Sequence, residues 1–420
     1  MGTRISVCSD DARTSPARVL TGHGVGSRVL LVVSLVTALL GTVGWTFHRH
    51  QVDLEVYLMG ARHLRDPHLY GLTLAGVHLP FTYPPFSTLF FWPLGIMTTR
   101  IAGVVWALIN LGALLVIIAV TLLHVRPDER DGSARVPWWL ALTLVGPAVL
   151  LEPVMLDLSF GQVNLVLVAL VLVDMTTRVR VAGRTLPRGI GVGLAAAIKL
   201  VPVIFVPFLL VTRQFRAAAT SMVTIAACAA MAFIVNPSAS TAFWGKYVND
   251  QARIGSVTYI SNQSLQGTID RVTHHLWNSR GMESLEGLTV VLGLAVAWWA
   301  WRRSSTFLAV LVVGVTGLLA SPITWAHHMV YIVPVLMWLW WGSDRPVGGR
   351  VWALGSATLF YVAPMWLIPH GPGYDMREHG AALWAGSSFT LAATSFIVGV
   401  AVMLTHRRRL GPQPSAHSIT

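Results

Sequence analysis

The sequence predicts an all-α polytopic membrane protein. Two observations concern composition: 54% of the 420 residues are hydrophobic and only 11% are charged, where a soluble protein has roughly a quarter charged residues. A third is that long apolar runs recur from residue 28 to residue 404, with no polar block large enough for a separate soluble domain. Since lipid cannot satisfy backbone polar groups, apolar runs of roughly 18 or more residues are expected to cross the bilayer as helices.

Hydropathy predicts one membrane domain, 28–404, with about twelve spans, between a cytoplasmic N-terminal tail, 1–27, and a cytoplasmic C-terminal tail, 405–420. The first span follows a polar tail and is longer than a signal-peptide core, so it is expected to be a retained anchor. The predicted spans are 28–47, 101–123, 137–152, 162–175, 188–199, 201–212, 216–235, 286–301, 306–320, 329–341, 351–368 and 381–404.

Arginine placement predicts the orientation, because loops rich in Lys and Arg face the cytoplasm. The predicted outer loops are 48–100, with interfacial helices, 153–161, a short one near residue 200, 236–285, 321–328 and 369–380. This alternation of inner and outer loops requires that Phe86–Met97 does not cross the membrane. The segment is short and follows Pro84 and Pro85, which favours an interfacial or re-entrant helix. The inner loops and tail hold Arg126, Arg130, Arg135, Arg178, Arg180, Arg184, Arg188, Arg213, Arg216, Arg302, Arg303, Arg345, Arg350, Arg407, Arg408 and Arg409.

The formal net charge of +12 does not indicate a nucleic-acid-binding protein. Its arginines collect in short clusters between spans, where they set orientation and meet anionic lipid headgroups. The two cysteines, Cys8 and Cys228, form no disulfide or metal-binding pattern. The predicted location is the plasma membrane, with many passes.

Asp53 is the first candidate catalytic residue. It follows the first span closely, and the apolar spacing of Val52, Val56 and Met59 predicts an amphipathic helix lying on the bilayer. A carboxylate partly shielded from water there has a raised pKa, which suits a general base. The alternative interpretation is that Asp53 caps this helix. Glu55 is the competing carboxylate, on another face of the same helix.

Further polar residues are predicted on the same outer side. Lys199 ends an apolar run, and it either holds a phosphate as a point charge or extends to the lipid headgroups. His327 and His328 are adjacent and therefore a poor metal pair, but one imidazole is suited to contact a phosphate or to position a hydroxyl. They follow Trp325, and the alternative is an interfacial aromatic and histidine cluster.

Two amide-bearing segments complete the candidate site. Gln162 and Asn164 open a span and either bind sugar hydroxyls or make hydrogen bonds between helices, the favoured interpretation for Asn164. The loop that holds Asn262 and Gln263, with Arg271 after it, is typical of a carbohydrate-contacting loop without being diagnostic.

Several motifs follow one another in order along the chain. They are Asp53-Leu54-Glu55-Val56-Tyr57, Leu69-Tyr70-Gly71, Phe81-Thr82-Tyr83-Pro84-Pro85-Phe86, Gly161-Gln162-Val163-Asn164, Lys199-Leu200-Val201-Pro202 and Trp325-Ala326-His327-His328. This order resembles glycosyltransferase family 87, the polyprenol-phosphate-mannose-dependent mannosyltransferases of actinobacteria. The resemblance covers nearly the whole chain.

The resemblance implies a GT-C fold, a polyprenyl-phosphate-mannose donor, and inverting transfer to a 2-hydroxyl of a phosphatidylinositol mannoside, with no metal and no cofactor. It places the family's essential aspartate at Asp53, its basic residue at Lys199 and its late histidine at His327 or His328, with His327 favoured. Candidate phosphate-binding residues are then Lys199, His328 and Arg62. Candidate substrate-binding residues are Glu55, Tyr57, Tyr83, Gln162, Asn164, Asn262, Gln263, Arg271 and Trp325.

Other functions remain open at this point. A related mannosyltransferase that branches lipomannan or lipoarabinomannan carries the same pattern. A flippase or transporter of a lipid-linked sugar is a second class, but it is expected to carry ionisable residues near the middle of the bilayer and paired broken helices. A non-catalytic scaffold leaves the one-sided polar clustering unexplained.

Overall fold

The computed structural model describes residues 25–48, 51–126, 136–274, 278–371, 374 and 379–409, and most of them are helical. In this part of the chain five helices are long and apolar enough to cross a membrane, or up to six if one bent pair forms a single span. A helical membrane protein is therefore confirmed, whereas the count of twelve spans is not. Most of both predicted tails lies outside the described residues, as do Arg130 and Arg135.

Up to Thr185, the described residues form seven helices and one short antiparallel hairpin. Their bounds are α1 Val25–His48, α2 Val52–Arg62, α3 Phe86–Gly95, α4 Thr99–Val125, α5 Trp138–Val149, α6 Glu152–Phe160, α7 Asn164–Thr176, β1 Arg180–Val181 and β2 Arg184–Thr185. A 3-10 turn at Leu69–Gly71 lies between α2 and α3.

The second half is helical throughout its regular elements. Its helices are α8 Ile190–Ile198, α9 Phe205–Val211, α10 Phe215–Val235, α11 Pro237–Gly245, α12 Leu265–Thr273, α13 Ser279–Arg303, α14 Thr306–Ala320, α15 Ile332–Trp341, α16 Gly349–Val362, α17 Ala381–Gly386 and α18 Ser388–Arg409. Its 3-10 turns are Val201–Ile204, Tyr247–Asn249, Gln251–Arg253, Ala326–Tyr331 and Pro364–Leu367.

The structure corrects three predicted segments. The predicted outer loop 153–161 is helix α6, bent by 80° from α5, and Pro153 in its first turn is well suited to a helix start. The predicted span 351–368 ends as an α-helix at Val362. The predicted span 381–404 is interrupted at Ser387 between α17 and α18.

Helices α2 and α3 pack against each other beside the bundle. The predicted helix after the first span is present as α2, with Leu54 and Leu58 in the main core and Val56 in a smaller cluster. Helix α3 has 10 residues, about 15 Å, which is half of the roughly 30 Å hydrocarbon thickness. It is too short to cross the bilayer.

Helix α10 defines two faces of the molecule. With 21 residues it is long enough to span the membrane. Just after its C-terminal end, the amide of Asn236 donates hydrogen bonds to the carbonyl oxygens of Leu64 and Asp66, in the segment that follows α2. The end near α2 is called the α2 face below, and the end that begins at Phe215 is called the opposite face.

The core is centred on α14, where every residue from Phe307 to Leu319 is buried. Helices α7 and α13 pack directly against it. Because α14 is apolar on all sides, it needs neighbours all round and becomes the middle of the bundle. The polar helix ends are thereby left to the two faces.

Position 161, at the end of α6, requires a glycine because of its backbone conformation and because there is no room for a side chain. Its φ is +68°, and a Cβ there would lie 2.7 Å from the Leu54 Cβ. We expect Gly161→Ala to lower the free energy of unfolding by more than the ~1 kcal/mol that left-handed strain alone costs, since α2 would also have to shift. Thermal unfolding in one detergent measures this.

Gly183→Ala is the matched control for that substitution. Gly183 also has a positive φ, +78°, but nothing lies within 4 Å of its Cβ position. If the two variants unfold at the same temperature, the close approach of α2 to Gly161 contributes nothing measurable to stability.

Candidate active site

Three parts of the chain meet on the α2 face: the first turn of α2, the turn between α6 and α7, and the break after α8. The first begins at Gln51, which is buried and left-handed with φ 47° and ψ 55°. The second turns at Gly161, whose carbonyl oxygen accepts a hydrogen bond from the Trp106 indole at 2.8 Å. The third contains Lys199 in an extended conformation. Each part carries one or more of the predicted polar residues.

Asp53 is held by a side-chain hydrogen-bond chain. Its Oδ2 accepts from Nε2 of Gln162 at 2.8 Å, and Oε1 of Gln162 accepts from the Tyr57 hydroxyl at 2.9 Å. The Tyr57 and Tyr83 hydroxyl oxygens are 3.0 Å apart. Asp53 and Tyr57 are four residues apart and so share one face of α2. Gln51, rather than Asp53, occupies the N-terminal capping position of α2. The alternative interpretation, in which Asp53 caps this helix, therefore does not hold.

The environment of Asp53 favours its protonated form. Burial raises the pKa of its carboxyl group from 3.8 to about 6, while the Gln162 hydrogen bond and the charge of Lys199 act in the opposite direction. Near neutral pH the carboxylate is therefore ionised yet basic enough to accept a proton, as a general base requires.

Lys199 lies in the break between α8 and the following 3-10 turn. Its Nζ donates to Oδ1 of Asn164 and to Nε2 of His328, both at 2.9 Å. Because an ammonium group has only donors, His328 must accept at Nε2 and carry its proton on Nδ1. Burial lowers the pKa of Lys199 to about 8, and the nearby Asp157 and Asp53 oppose that change. The ammonium is thus engaged inside the protein and does not extend freely toward lipid headgroups.

Asp157 is the site residue that the sequence analysis missed. It is fully buried on α6, and its Oδ1 accepts from Nδ2 of Asn164 at 2.8 Å. The same amide contacts Lys199 through its oxygen, so Asn164 links a buried carboxylate to a cation. The available signal was an aspartate in an apolar segment close to Gln162, since ionisable residues in such segments are commonly functional.

Tyr83 connects the two hydrogen-bonded groups. The Lys199 Nζ is 5.8 Å from the centroid of the Tyr83 ring, and the Tyr83 hydroxyl contacts Tyr57 on the Asp53 side. Tyr57 is itself fixed by stacking on Phe91, with ring centroids 4.3 Å apart. Asp53, Gln162, Tyr57, Tyr83, Lys199, Asn164, Asp157 and His328 therefore form one cluster, called the carboxylate–lysine cluster below.

A small cavity of about 40 Å³ adjoins this cluster on the Lys199 side. Asn164, Lys199 and His328 contribute its polar groups, and the other lining side chains are apolar or aromatic, among them Leu167 and Phe205. A cation that borders an apolar space is suited to a ligand with a phosphate group on a hydrocarbon chain.

His327 and His328 have different surroundings. The structure brings His328, and not His327, to Lys199. The His327 ring is buried against Phe160, with centroids 5.6 Å apart, and within the described chain neither ring nitrogen has a hydrogen-bond partner. The catalytic role predicted for His327 stays a prediction, and His328 has the geometry for a phosphate contact.

Two predicted residues of α2 lie outside the cluster. Arg62 is exposed at the far end of the helix and donates to the carbonyl oxygens of Gly95 and Met97. Glu55 is two residues from Asp53, about 200° around the helix. The structure therefore brings neither side chain to Lys199, and their predicted binding roles stay predictions.

The loop residues Asn262, Gln263 and Arg271 are buried and bonded to backbone groups. The Asn262 amide contacts the backbone at Val257, Pro322 and Thr324. Gln263 and Arg271 both donate to the carbonyl oxygen of Gly386. These contacts hold the loop between α12, α14 and α17 in place.

Trp325 is paired to that loop through its backbone. An isolated bridge joins it to Asn262, and its ring faces Tyr259 with centroids 6.0 Å apart. The ring is half-buried, and the binding role predicted for Trp325 stays a prediction.

A helical membrane protein with a buried carboxylate and a lysine on one face is the class that this fold and cluster define. Residues 81–322 match glycosyltransferase family 87, more than half of the chain. The chain belongs to this family, which confirms the resemblance seen in the sequence. The matched region contains Tyr83, Asp157, Gln162, Asn164 and Lys199.

Curated relatives align with nearly the whole chain. A polyprenol-phosphate-mannose-dependent alpha-(1-2)-phosphatidylinositol mannoside mannosyltransferase of Mycobacterium tuberculosis (strain H37Rv) is 32% identical, over 94% of this chain and 98% of its own. A protein of the same name from Mycolicibacterium smegmatis is also 32% identical, over 95% and 94%. A phosphatidylinositol pentamannoside mannosyltransferase of Mycobacterium tuberculosis (strain CDC 1551) is 29% identical, over 93% and 92%. No solved structure matches the chain.

The Asn164–Lys199 contact is testable by a double-mutant cycle. We expect Asn164→Leu to lower stability strongly, because the Lys199 ammonium loses an acceptor while remaining charged. In a Lys199→Met background the same substitution should cost about 1 kcal/mol less. Unfolding of the four proteins in one detergent measures the difference.

The loss of the Asn164 donor to Asp157 is common to both backgrounds, so it cancels from the comparison. Additive effects of the two substitutions would show that the amide and the ammonium do not stabilise each other.

Proposed function

We propose that this protein is a membrane mannosyltransferase that transfers mannose from polyprenyl-phosphate-mannose to a 2-hydroxyl of a phosphatidylinositol mannoside. The single observation that carries the proposal is that Asp53 and Lys199, far apart in sequence and both half-buried, belong to one cluster on the α2 face. The activities for which the relatives are named support the same donor and acceptor.

Asp53 is the proposed general base. Its carboxylate accepts the proton of the acceptor hydroxyl while that oxygen attacks the anomeric carbon of mannose. Attack from the side opposite the phosphate inverts the configuration, so a β-linked donor gives an α-linked product. Gln162 fixes the direction of the Asp53 carboxylate and leaves its second oxygen, Oδ1, for the hydroxyl. General-base catalysis of this kind contributes ~10²–10⁴-fold to rate.

Lys199 and His328 are proposed to stabilise the departing phosphate. Breaking the anomeric bond leaves an additional negative charge on the polyprenyl phosphate, and a fixed cation in a poorly hydrated site lowers the energy of that charge. His328 donates from Nδ1, the imidazole nitrogen that Lys199 does not contact. The proposed reaction uses no metal and no cofactor, since Lys199 supplies the positive charge.

The finer architecture is part of the proposal. We infer a GT-C arrangement in which the shorter apolar helices, together with the five long ones, make about twelve passes. The α2 face is placed in the periplasm and both tails in the cytoplasm of a plasma-membrane protein, with the opposite face carrying the arginine-rich loops. The arginine distribution supports this orientation.

Two alternatives have different products. A paralogous enzyme that branches lipomannan would use the same donor and the same cluster, and an acceptor panel separates it. A flippase would move a lipid-linked sugar without forming a glycosidic bond. The carboxylate–lysine cluster lies at helix ends and not along a path across the membrane. This position favours a transferase over a flippase.

Asp53→Asn is expected to reduce mannose transfer by at least ~10²-fold, because an amide keeps the shape but not the basicity of the carboxylate. The measurement is formation of the mannosylated product by purified protein supplied with polyprenyl-phosphate-mannose and phosphatidylinositol mannosides. Since burial penalises the Asp53 charge at neutral pH, this variant should unfold at no lower temperature than the native protein.

Asp66→Asn is the matched control on the same face. Asp66 uses Oδ1 to accept the His68 backbone N–H at 2.8 Å, and an asparagine oxygen retains that bond. Near-native transfer by Asp53→Asn would remove Asp53 from the mechanism, whereas loss of transfer in both variants would point to a general disturbance of the face.

The pH dependence follows from the raised pKa of Asp53. The base works only when deprotonated, so transfer should fall about tenfold per pH unit as the pH drops below 6. With the ordinary aspartate pKa of 3.8, the fall would begin only below pH 3.8. In Gln162→Leu the hydrogen bond that lowers this pKa is lost, and the acid limb should move to higher pH. A Gln162→Leu protein with reduced rate but an unchanged limb would contradict the assignment.

A further inference from the structure

A large cavity lies on the opposite face, away from the carboxylate–lysine cluster. Its volume is about 970 Å³, and α7, α8, the β1–β2 hairpin and the start of α10 enclose it. Ligand pockets in proteins commonly have volumes of ~300–1,000 Å³. This cavity is therefore large enough for a molecule of the size of a lipid headgroup with the first part of its chains.

The cavity lining is strongly basic. Arg178, Arg188, Arg213 and Arg216 line it together with a single carboxylate, Asp174. Within the described chain none of the four arginines forms an ion pair. Their guanidinium groups present planar, paired donors suited to phosphate oxygens.

The single carboxylate is already engaged by the backbone. Both oxygens of Asp174 lie 2.9 Å from the Gly189 nitrogen, and Oδ2 also accepts from the Val192 nitrogen at 3.0 Å. Asp174 thus fixes the start of α8, and its charge acts on Arg188 without forming an ion pair, which leaves a net positive charge among the four arginines. Arg188 uses one donor on the side chain of Gln214, which leaves most of its guanidinium for a ligand.

Other walls of the cavity are apolar. Leu170 and Val173 come from α7, and Ile190 and Leu194 come from α8. Phe215, which begins α10, is exposed. A basic rim beside apolar walls matches an amphiphile with an anionic headgroup, and basic pockets between membrane helices bind phospholipid headgroups of this kind.

The cavity is separate from the proposed active site. Along α7, Asp174 is about 15 Å from Asn164, and Ile190 is a similar distance from Lys199 along α8. The same two helices therefore carry residues of the cluster at one end and line the cavity at the other. The proposed donor and acceptor both bind at the cluster, so neither has a role at the cavity end of these two helices.

We propose that this cavity binds the phosphate headgroup of an anionic membrane phospholipid in the leaflet opposite the active site. The bound lipid holds the ends of α7, α8 and α10 together by bridging arginines from three separate segments. The proposal concerns binding and stability, so it stands or falls independently of mannose transfer.

Thermal unfolding of the purified full chain in detergent tests the site. Added phosphatidylglycerol should raise the unfolding temperature by about 3 °C more than the same amount of phosphatidylcholine, because a ligand of the folded state stabilises it. In Arg178→Gln/Arg216→Gln most of that difference should disappear. Glycerol 3-phosphate, which has the phosphate without the chains, should not reproduce it.

The matched control is Arg180→Gln/Arg184→Gln. These two arginines are exposed on the β1–β2 hairpin beside the cavity, carry the same charge, and do not line it. This variant should respond to phosphatidylglycerol as the native protein does. Equal losses in both double variants would show general surface attraction and would overturn the proposal, as would an equal rise with glycerol 3-phosphate.

A measurement on the native protein covers the case in which the cavity variant does not fold. Native mass spectrometry after purification from mixed lipid should show one retained phosphatidylglycerol in preference to phosphatidylcholine. No preference between the two lipids would refute the site.

Discussion

The contact between the Lys199 ammonium and the Asn164 amide is the interaction on which the site depends. A lysine in a poorly hydrated position needs acceptors, and here it has an amide oxygen and an imidazole nitrogen. The other end of the same amide serves Asp157, a fully buried carboxylate. One short side chain thus contacts both groups and fixes α6, α7 and the end of α8 relative to one another.

This constraint explains why the helices on the α2 face are short and interrupted. A continuous helix through residues 152–176 would carry Asp157 and Asn164 into lipid-facing or core positions without bringing them together. The left-handed turn at Gly161 ends α6 before α7 begins, so that Gln162 contacts Asp53 and Asn164 contacts Asp157. Breaks of this kind are tolerated in a membrane protein where side chains satisfy the freed backbone groups.

The candidate site was only partly predictable from the sequence. Asp53, Gln162, Asn164 and Lys199 were recognisable as polar residues at the edges of apolar runs, all expected on one side. Asp157 was missed because its segment was taken for a loop, and the helix that buries it becomes evident only from the 80° bend after α5. The loop with Asn262, Gln263 and Arg271 has the composition of a sugar-binding loop. The side chains of these residues nevertheless donate hydrogen bonds to backbone carbonyl groups distant in sequence.

The sequence by itself determined the class of protein, the family, and the position of polar residues at the ends of apolar runs, because hydropathy and motif order can be read directly along the chain. Only the tertiary structure decided which polar groups meet. Hydrogen-bond partners such as Gln162 and Asp53 are more than a hundred residues apart, and their pairing depends on helix directions that hydropathy does not encode. For the same reason the arginine-lined cavity could not be foreseen: its walls come from three segments whose ends converge only after the bundle has packed.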